Sequence, residues 1–192
     1  MAEYKVGVLI GSLAKGSINR LLARALMRLA PPELEFTEIS FKDLPLYSYD
    51  YDSDYPQSAL DFKKALDDVD AVLFVTPEYN RSIPGALKNA IDWASRPRGQ
   101  NSFIHKPSAV IGASTGAIGT AVGQQHLRSI LSFLNSPQMS FPEGYIQFKP
   151  GLITEEGEVT VESTRDFLRF FMVEFAAFIA RVCLVLPPPG KV

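Results

Sequence analysis

The chain has 192 residues and a net charge of −2, with 46% hydrophobic and 21% charged residues. This length suits one domain with a sizeable core, and the composition is that of a globular rather than a disordered protein. Lys and Arg are scattered along the chain, which argues against a nucleic-acid partner or an anionic membrane surface.

Five short apolar runs alternate with five amphipathic segments. Continuous apolar runs are typical of strands buried on both faces of a parallel sheet, and the alternation implies right-handed βαβ crossovers. We therefore expect one α/β domain over residues 1–192, a three-layer α/β/α sandwich around a five-stranded parallel sheet. The predicted strands are residues 6–10, 35–39, 71–75, 108–112 and 145–148. The predicted helices are residues 17–29, 58–66, 84–94, 120–134 and 161–182.

Three loops are expected to form the site. In open parallel sheets, ligands bind beyond the carboxyl ends of the strands, at the point where the strand order reverses. The loops at residues 11–19, 77–83 and 113–119 each follow a predicted strand and should converge there.

The first loop lies within VGVLIGSLAKGSINRLL, residues 6–22. The helix that begins near Ser17 offers unpaired N–H groups and the positive end of its dipole, and Ser12, Ser17 and Asn19 add short polar side chains. Such a loop can hold a terminal phosphate without a full cation. Ser17 could equally be only a helix N-cap, and this loop alone leaves both interpretations open. The P-loop and the three-glycine dinucleotide motif are both absent, which favours a mononucleotide.

The second loop lies within TPEYNRSIPGALKNAIDW, residues 76–93. Prolines bound it, so it should be stiff, and its backbone groups could bind the edge of a flat heterocycle with Tyr79 and Ile83 packed against the ring. An ordinary strand-to-helix turn is the alternative. That alternative explains the prolines but not the grouping of Glu78, Tyr79 and Asn80.

The third loop contains a match to the nucleophile elbow of hydrolases. Gly112-Ala113-Ser114-Thr115-Gly116 fits the pattern G-x-S-x-G between a strand and a helix. A hydrolase of this type needs an acid and then a histidine after the serine, but the histidine that follows is His126 and no Asp or Glu lies between them. A hydrolase is therefore a minor alternative. Two histidines and one cysteine far apart also give no metal-ligand spacing.

These stretches resemble the NAD(P)H-dependent FMN reductases, a family of flavodoxin-like fold that includes bacterial quinone and chromate reductases. Residues 76–93 are similar to the family's motif P-E-Y-N-x-S-x-P-G-x-L-K-N-A-I-D-W, which is highly specific. The first loop is similar to its phosphate loop G-S-L-R-x-x-S-x-N. Residues 44–50, 112–120 and 126–136 are similar to further segments of the family, in the same order.

The resemblance implies an enzyme that carries FMN. NADPH or NADH would deliver a hydride to FMN, and a small-molecule acceptor would then be reduced in a ping-pong cycle. Quinones are the favoured acceptors, followed by free flavin, azo compounds and chromate. No catalytic side chain is identified. The implied cofactor-binding residues are Ser12, Ser17, Ile18 and Asn19 at the phosphate, Pro77, Glu78, Tyr79 and Asn80 along the ring, and Ser114, Thr115 and Gly116 at its other edge.

Two further points follow from the resemblance. The family usually has arginine where this chain has Ala14, so FMN should bind more loosely here than in relatives. Asp50 and the loop around Tyr47 would approach the site from a partner subunit. The non-enzyme alternative is a flavodoxin-like electron carrier, but carriers are strongly acidic around the flavin and this chain is nearly neutral.

The last predicted helix bears on assembly and location. It is apolar on more than one stripe, and the excess over the single stripe of a surface helix indicates a contact with another subunit, with a thick monomeric core as the alternative. The resemblance implies that the assembly is a homodimer or homotetramer. Its charged residues argue against a membrane span.

The single cysteine, Cys183, favours a reducing compartment, hence the cytoplasm, and its apolar surroundings predict a buried, inert thiol.

Overall fold

The computed structural model describes residues 3–186, which form a five-stranded sheet with helices on both faces. The strands are β1 (Tyr4–Ile10), β2 (Leu34–Glu38), β3 (Ala71–Val75), β4 (Ser108–Ser114) and β5 (Gly144–Gln147). The helices are α1 (Ile18–Leu29), α2 (Gln57–Asp67), α3 (Gly85–Ala94), α4 (Ala121–Phe133) and α5 (Glu162–Val185). A 3-10 turn at Tyr49–Ser53 precedes α2. The ten predicted elements are all present.

The sheet is parallel throughout, in the order β2-β1-β3-β4-β5. The chain first moves from β1 outward to β2, and then crosses back to β3 on the other side of β1. The strand order therefore reverses between β1 and β3, where a ligand site is expected in this architecture. The predicted flavodoxin-like α/β/α sandwich is confirmed.

Alternate residues of each central strand enter two separate cores. In β1, Val6, Val8 and Ile10 pack with α1 and α5, whereas Leu9 packs on the opposite face with α2, α3 and α4. In β3, Leu73 and Phe74 divide in the same way. Because successive side chains of a strand point to opposite faces, a continuous apolar run is what a doubly covered sheet requires.

The prediction that Cys183 is buried is wrong. α5 continues to Val185, and in its last turn Cys183 is exposed while Leu184 and Val185 are 87% and 75% exposed. The apolar sequence therefore continues past the part of the helix that packs on the sheet. Partial desolvation still raises the pKa of the Cys183 thiol, which lowers its thiolate fraction and agrees with an unreactive group.

Candidate functional site

The three candidate loops start side by side at one edge of the sheet. The Gly11 N–H donates to the Val75 carbonyl over 2.9 Å, and the Thr76 N–H donates to the Ile111 carbonyl over 3.0 Å. The carboxyl ends of β1, β3 and β4 are thus hydrogen-bonded to one another just where the loops leave. The structure places the predicted residues of all three loops at this edge.

Two glycines allow the strands to approach closely around Thr76. A Cβ atom on Gly11 would lie 2.4 Å from the Thr76 Oγ1, and one on Gly112 would lie 2.0 Å from the Thr76 carbonyl oxygen. Real Cβ atoms essentially never come so near, so packing between β3 and β4 accounts for glycine at position 112. The first glycine of the hydrolase-like pattern therefore has a reason unrelated to a nucleophile elbow.

The serine and histidine of the hydrolase alternative each contact another group. The Ser114 Oγ accepts from the Gly116 N–H at 3.2 Å, and His126 Nδ1 lies 3.1 Å from the Ser82 Oγ. Neither contact forms part of a triad. The geometry gives no support to a hydrolase.

The first loop presents donors at the start of α1. Ser12 and Ser17 are buried, and Ser17 caps the helix by accepting from the Arg20 N–H at 3.4 Å. Ile18 and Asn19 lie in the first turn, where an α-helix has no internal acceptor for the backbone N–H groups. Ser17 is therefore an N-cap, but this does not exclude a phosphate, since its hydroxyl hydrogen can still point toward an anion.

The side chain of Asn19 ties α1 to the sheet. It is 1% exposed; its Nδ2 donates to the Ala113 carbonyl at 2.9 Å and its Oδ1 accepts from the Ala113 N–H at 2.8 Å. An anion in this loop would thus meet the backbone N–H of Asn19. The side chain fixes where that N–H points.

Positive charge near this loop is limited. Arg20 forms two hydrogen bonds of 2.7 and 2.6 Å to the Glu38 carboxylate at the end of β2, so its charge is already paired. Ala14 and Lys15 are exposed. The exposure of Ala14 leaves room for a longer side chain at that position.

The second loop is a tight hairpin. Tyr79 and Ser82 exchange backbone hydrogen bonds of 2.9 and 3.0 Å, and the two residues between them, Asn80 and Arg81, have φ of 52° and 64°. Positive φ at both central positions is the geometry of a type I′ turn. Tyr79 is 50% exposed, so its ring is free to pack against a ligand.

Pro77 and Glu78 lead into this hairpin. Pro77 is half-buried and its carbonyl accepts from the Thr76 hydroxyl at 2.9 Å. The Glu78 side chain is turned away from the loop's outer surface, because its Oε2 accepts from the Gly123 N–H in α4 at 2.9 Å. Glu78 would therefore face a bound ring with its backbone.

The third loop follows β4 and lies at the same edge of the sheet as the other two. Thr115 and Gly116 are exposed and Ser114 is half-buried. Gly119 closes the loop with φ of 58°, and a Cβ atom there would lie 2.9 Å from the Tyr145 backbone. The loop is therefore held close to β5 while its tip stays open.

Two residues of the second motif have a role that the sequence reasoning did not assign. Asn89 and Trp93, one turn apart on α3, both donate to the Pro45 carbonyl, at 2.9 and 2.7 Å, and Asn89 Oδ1 accepts from the Tyr47 N–H. The Tyr47 ring also packs edge to face on Trp93, at 5.1 Å between centroids. The sequence signal that could have revealed this shared role is the i,i+4 spacing of the two residues, since it places both side chains on one face of the helix.

The arrangement fits FMN. Buried hydroxyls and first-turn N–H groups suit a phosphate, and a rigid hairpin with an exposed tyrosine suits a flat ring. Within residues 3–186, no cluster of three or more His, Cys, Asp or Glu side chains could hold a metal ion. No helix in that range is long and apolar enough to cross a bilayer.

A cavity of about 840 Å³ lies at the opposite, amino-terminal edge of the sheet. Lys63 and Lys106 line it and are both buried. Lys63 Nζ donates to the Ala94 carbonyl at 2.9 Å and Lys106 Nζ to the Leu66 carbonyl at 2.6 Å, at the carboxyl ends of α3 and α2. A lysine side chain can hydrogen-bond the last carbonyls of a helix, so these lysines have a structural role.

Lys63 gives a pH dependence that can be tested. Burial lowers its pKa from 10.5 to about 8. Between these values the unfolded chain binds more protons than the folded one, so the free energy of unfolding should rise with pH across this window, by on the order of 2 kcal/mol. Denaturant titrations at several pH values would show this rise in the wild type and a smaller rise in Lys63→Gln, where Lys106, whose pKa burial also lowers, still contributes.

The adjacent Lys64 provides the control. It is exposed and pairs with Asp68 at 2.6 Å. Lys64→Gln should keep the wild-type slope between pH 8 and 10. If Lys63→Gln also kept the full wild-type slope, the buried amine of Lys63 would not contribute to the pH dependence of stability. The comparison of variants is needed because burial raises the pKa of Tyr47 and Tyr55, which lowers stability at still higher pH.

Comparison with known proteins agrees with this geometry. The sequence profile described as NADPH-dependent FMN reductase matches residues 4–149. The chain is 49% identical over 175 residues to a 2-hydroxy-1,4-benzoquinone reductase from a Burkholderia species, covering 91% of this chain and 96% of that protein.

Solved structures show the same likeness. FerB, a flavoenzyme NAD(P)H:(acceptor) oxidoreductase from Paracoccus denitrificans, superposes with a TM-score of 0.89 at 46% identity, over 93% of this chain and 98% of that one. A flavodoxin mutant from Pseudomonas aeruginosa superposes with a TM-score of 0.53 at 20% identity, over 92% and 99% of the two chains. The second likeness shows the fold alone.

Proposed function

The chain belongs to the NADPH-dependent FMN reductase family, and we propose that it reduces quinones with electrons from NADPH or NADH through FMN held by the three loops. It is thus an oxidoreductase that uses FMN and NAD(P)H. One observation carries the proposal. The loop before α1, with its buried Ser12 and Ser17, and the rigid hairpin after β3 leave the sheet side by side where the strand order reverses. A quinone is favoured as the acceptor because the Burkholderia relative is a benzoquinone reductase.

Each loop has a defined part in this proposal. Ser12, Ser17 and the N–H groups of Ile18 and Asn19 bind the phosphate. The backbone of Pro77 and Glu78, with Tyr79 and Asn80, lines one side of the ring. Ser114, Thr115 and Gly116 close the other edge.

When bound, FMN supplies the hydride and electron chemistry that no side chain of the site can perform. The protein binds and orients the reacting rings. The tip of the third loop and the Tyr79 ring remain accessible, which leaves space for a nicotinamide or an acceptor to stack in turn. Sequential use of one space implies ping-pong kinetics, and azo compounds, free flavin and chromate are further candidate acceptors.

The rival function is an electron carrier of flavodoxin type, and rapid mixing separates the two. Protein loaded with FMN and mixed anaerobically with NADPH should lose its yellow absorbance at a rate that rises with NADPH concentration, and added benzoquinone should restore it. NADH is run in parallel because either nucleotide fits the proposal. Flavin that stays oxidised with both donors would contradict the enzyme and favour the carrier.

We further propose a homodimer or homotetramer located in the cytoplasm, built from a single FMN-binding domain. Apolar side chains stand exposed on the outer helices and the loop before β5: Phe133 is 89%, Phe141 68% and Phe170 43% exposed. Phe141 and Phe170 lie together, with ring centroids 6.1 Å apart, and a second copy that covered these side chains would remove them from water. In the described chain the Tyr47 loop packs on its own Trp93, so its approach to a partner's site remains part of the proposal.

A further inference from the structure

Glu78 is a mostly buried carboxylate at the base of the hairpin. Its side chain is 9% exposed, whereas its ion-pair partner Arg81, 3.2 Å away, is 67% exposed. Burying a carboxylate is unfavourable unless hydrogen bonds compensate it. The Gly123 N–H at 2.9 Å supplies a buried partner.

That N–H belongs to the first turn of α4 and needs an acceptor. Gly123 is the third residue of the helix, a position whose N–H often donates to the side chain of the N-cap residue. The N-cap here is Thr120, which makes no such bond; its hydroxyl accepts from Gln124 Nε2 at 2.8 Å instead. Glu78 therefore caps α4 from a different loop, with its negative charge at the positive end of the helix.

The hairpin touches α4 at two further points. Gly123 has no side chain, and a Cβ atom there would lie 2.9 Å from the Ser82 carbonyl oxygen. One turn later, His126 Nδ1 lies 3.1 Å from the Ser82 Oγ. These three contacts, within two turns of α4, hold the hairpin against the helix.

The third loop runs directly into the same helix through Thr120. The Glu78 bond to Gly123 therefore fixes the spacing between the second and third loops, which flank the ring in the function proposed above. We propose that Glu78 is a positioning residue: by capping α4 it sets the width of the slot for the flavin ring without touching the ring with its side chain. This inference rests on the proposed function.

Three variants test it. Glu78→Ala removes the cap, and Glu78→Gln keeps an oxygen that can accept from Gly123 while removing the charge. Glu162→Gln is the matched control, since Glu162 pairs with Arg165 three residues on at 3.3 Å, also at a helix start, but its side chain is 81% exposed. The measurements are hydrogen exchange of the backbone amides at 78–83 and 123 in the FMN-free protein, the FMN dissociation constant, and the visible spectrum of bound FMN.

Glu78→Ala should speed exchange at these amides, weaken FMN binding by roughly tenfold and shift the bound spectrum toward that of free FMN. Glu78→Gln should stay within about threefold of the wild-type dissociation constant, and Glu162→Gln should equal the wild type. A Glu78→Ala protein with a lower melting temperature but unchanged spectrum and affinity would overturn the positioning role alone. A wild-type protein that takes up no FMN would overturn the proposed function as well.

Discussion

Gly112→Ala should destabilise the protein by roughly 3 kcal/mol or more and abolish FMN uptake at ordinary concentrations. The added methyl group would lie 2.0 Å from the Thr76 carbonyl oxygen and 2.4 Å from the Thr120 Oγ1. The first of these is backbone, so relief requires β3 and β4 to move apart. The second and third candidate loops follow directly from these two strands. Separation of the strands would therefore disturb the candidate site as well as the core.

Thermal unfolding and FMN titration measure the two effects. A loss of this size corresponds to a fall in melting temperature of about 10 °C for a chain of this length. Gly85→Ala is the matched control, because nothing lies within 4 Å of a Cβ atom at that position. It should be neutral or slightly stabilising, as alanine favours a helix over glycine. A Gly112→Ala protein as stable as Gly85→Ala would show that the strands are packed less closely than the structure indicates.

Ala14→Arg should tighten FMN binding by about tenfold to a hundredfold. Position 14 is exposed within the first loop, and a guanidinium there could reach the phosphate, adding a charge-assisted hydrogen bond of roughly 1.5–3 kcal/mol. Arg20 does not already supply this charge, since it is bound to Glu38. Fluorescence titration of FMN into the FMN-free protein gives the dissociation constant.

A control for net charge is required. Ala30→Arg adds the same charge just past the other end of α1, where the phosphate is out of reach. It should leave the dissociation constant nearly unchanged, and raised salt should weaken the gain in Ala14→Arg. Equal affinity of Ala14→Arg and the wild type would show that the phosphate is not held at this loop.

The fold was predictable because its signal is local. An apolar run such as residues 71–75 needs no partner to identify it as a buried strand, and β3 has those bounds. The end of α5 was not predictable in this way. Apolar residues near Cys183 predict burial only if the sheet extends beneath them. The sequence of the helix carries no information on how far the sheet extends.

The candidate site was predicted as a set of loops but not as a set of contacts. Asn19 shows the difference. Its place in the first turn of a helix indicates a donor to an anion, but its side chain is bound to Ala113, 94 residues away in sequence. Glu78 likewise belongs to a recognisable motif, while its partner Gly123 depends on how two loops meet. Pairings between distant segments are set by tertiary packing, which periodicity and spacing do not report.

The surroundings of Trp93 have an optical consequence. It is the single tryptophan of the chain, it is fully buried, and the rings of Tyr47, Tyr51 and Tyr55 lie 5.1, 5.4 and 5.0 Å from it. Light absorbed by these tyrosines is therefore passed efficiently to one emitter. Emission from the folded protein thus reports the state of the segment after β2, to which Trp93 is hydrogen-bonded through the Pro45 carbonyl.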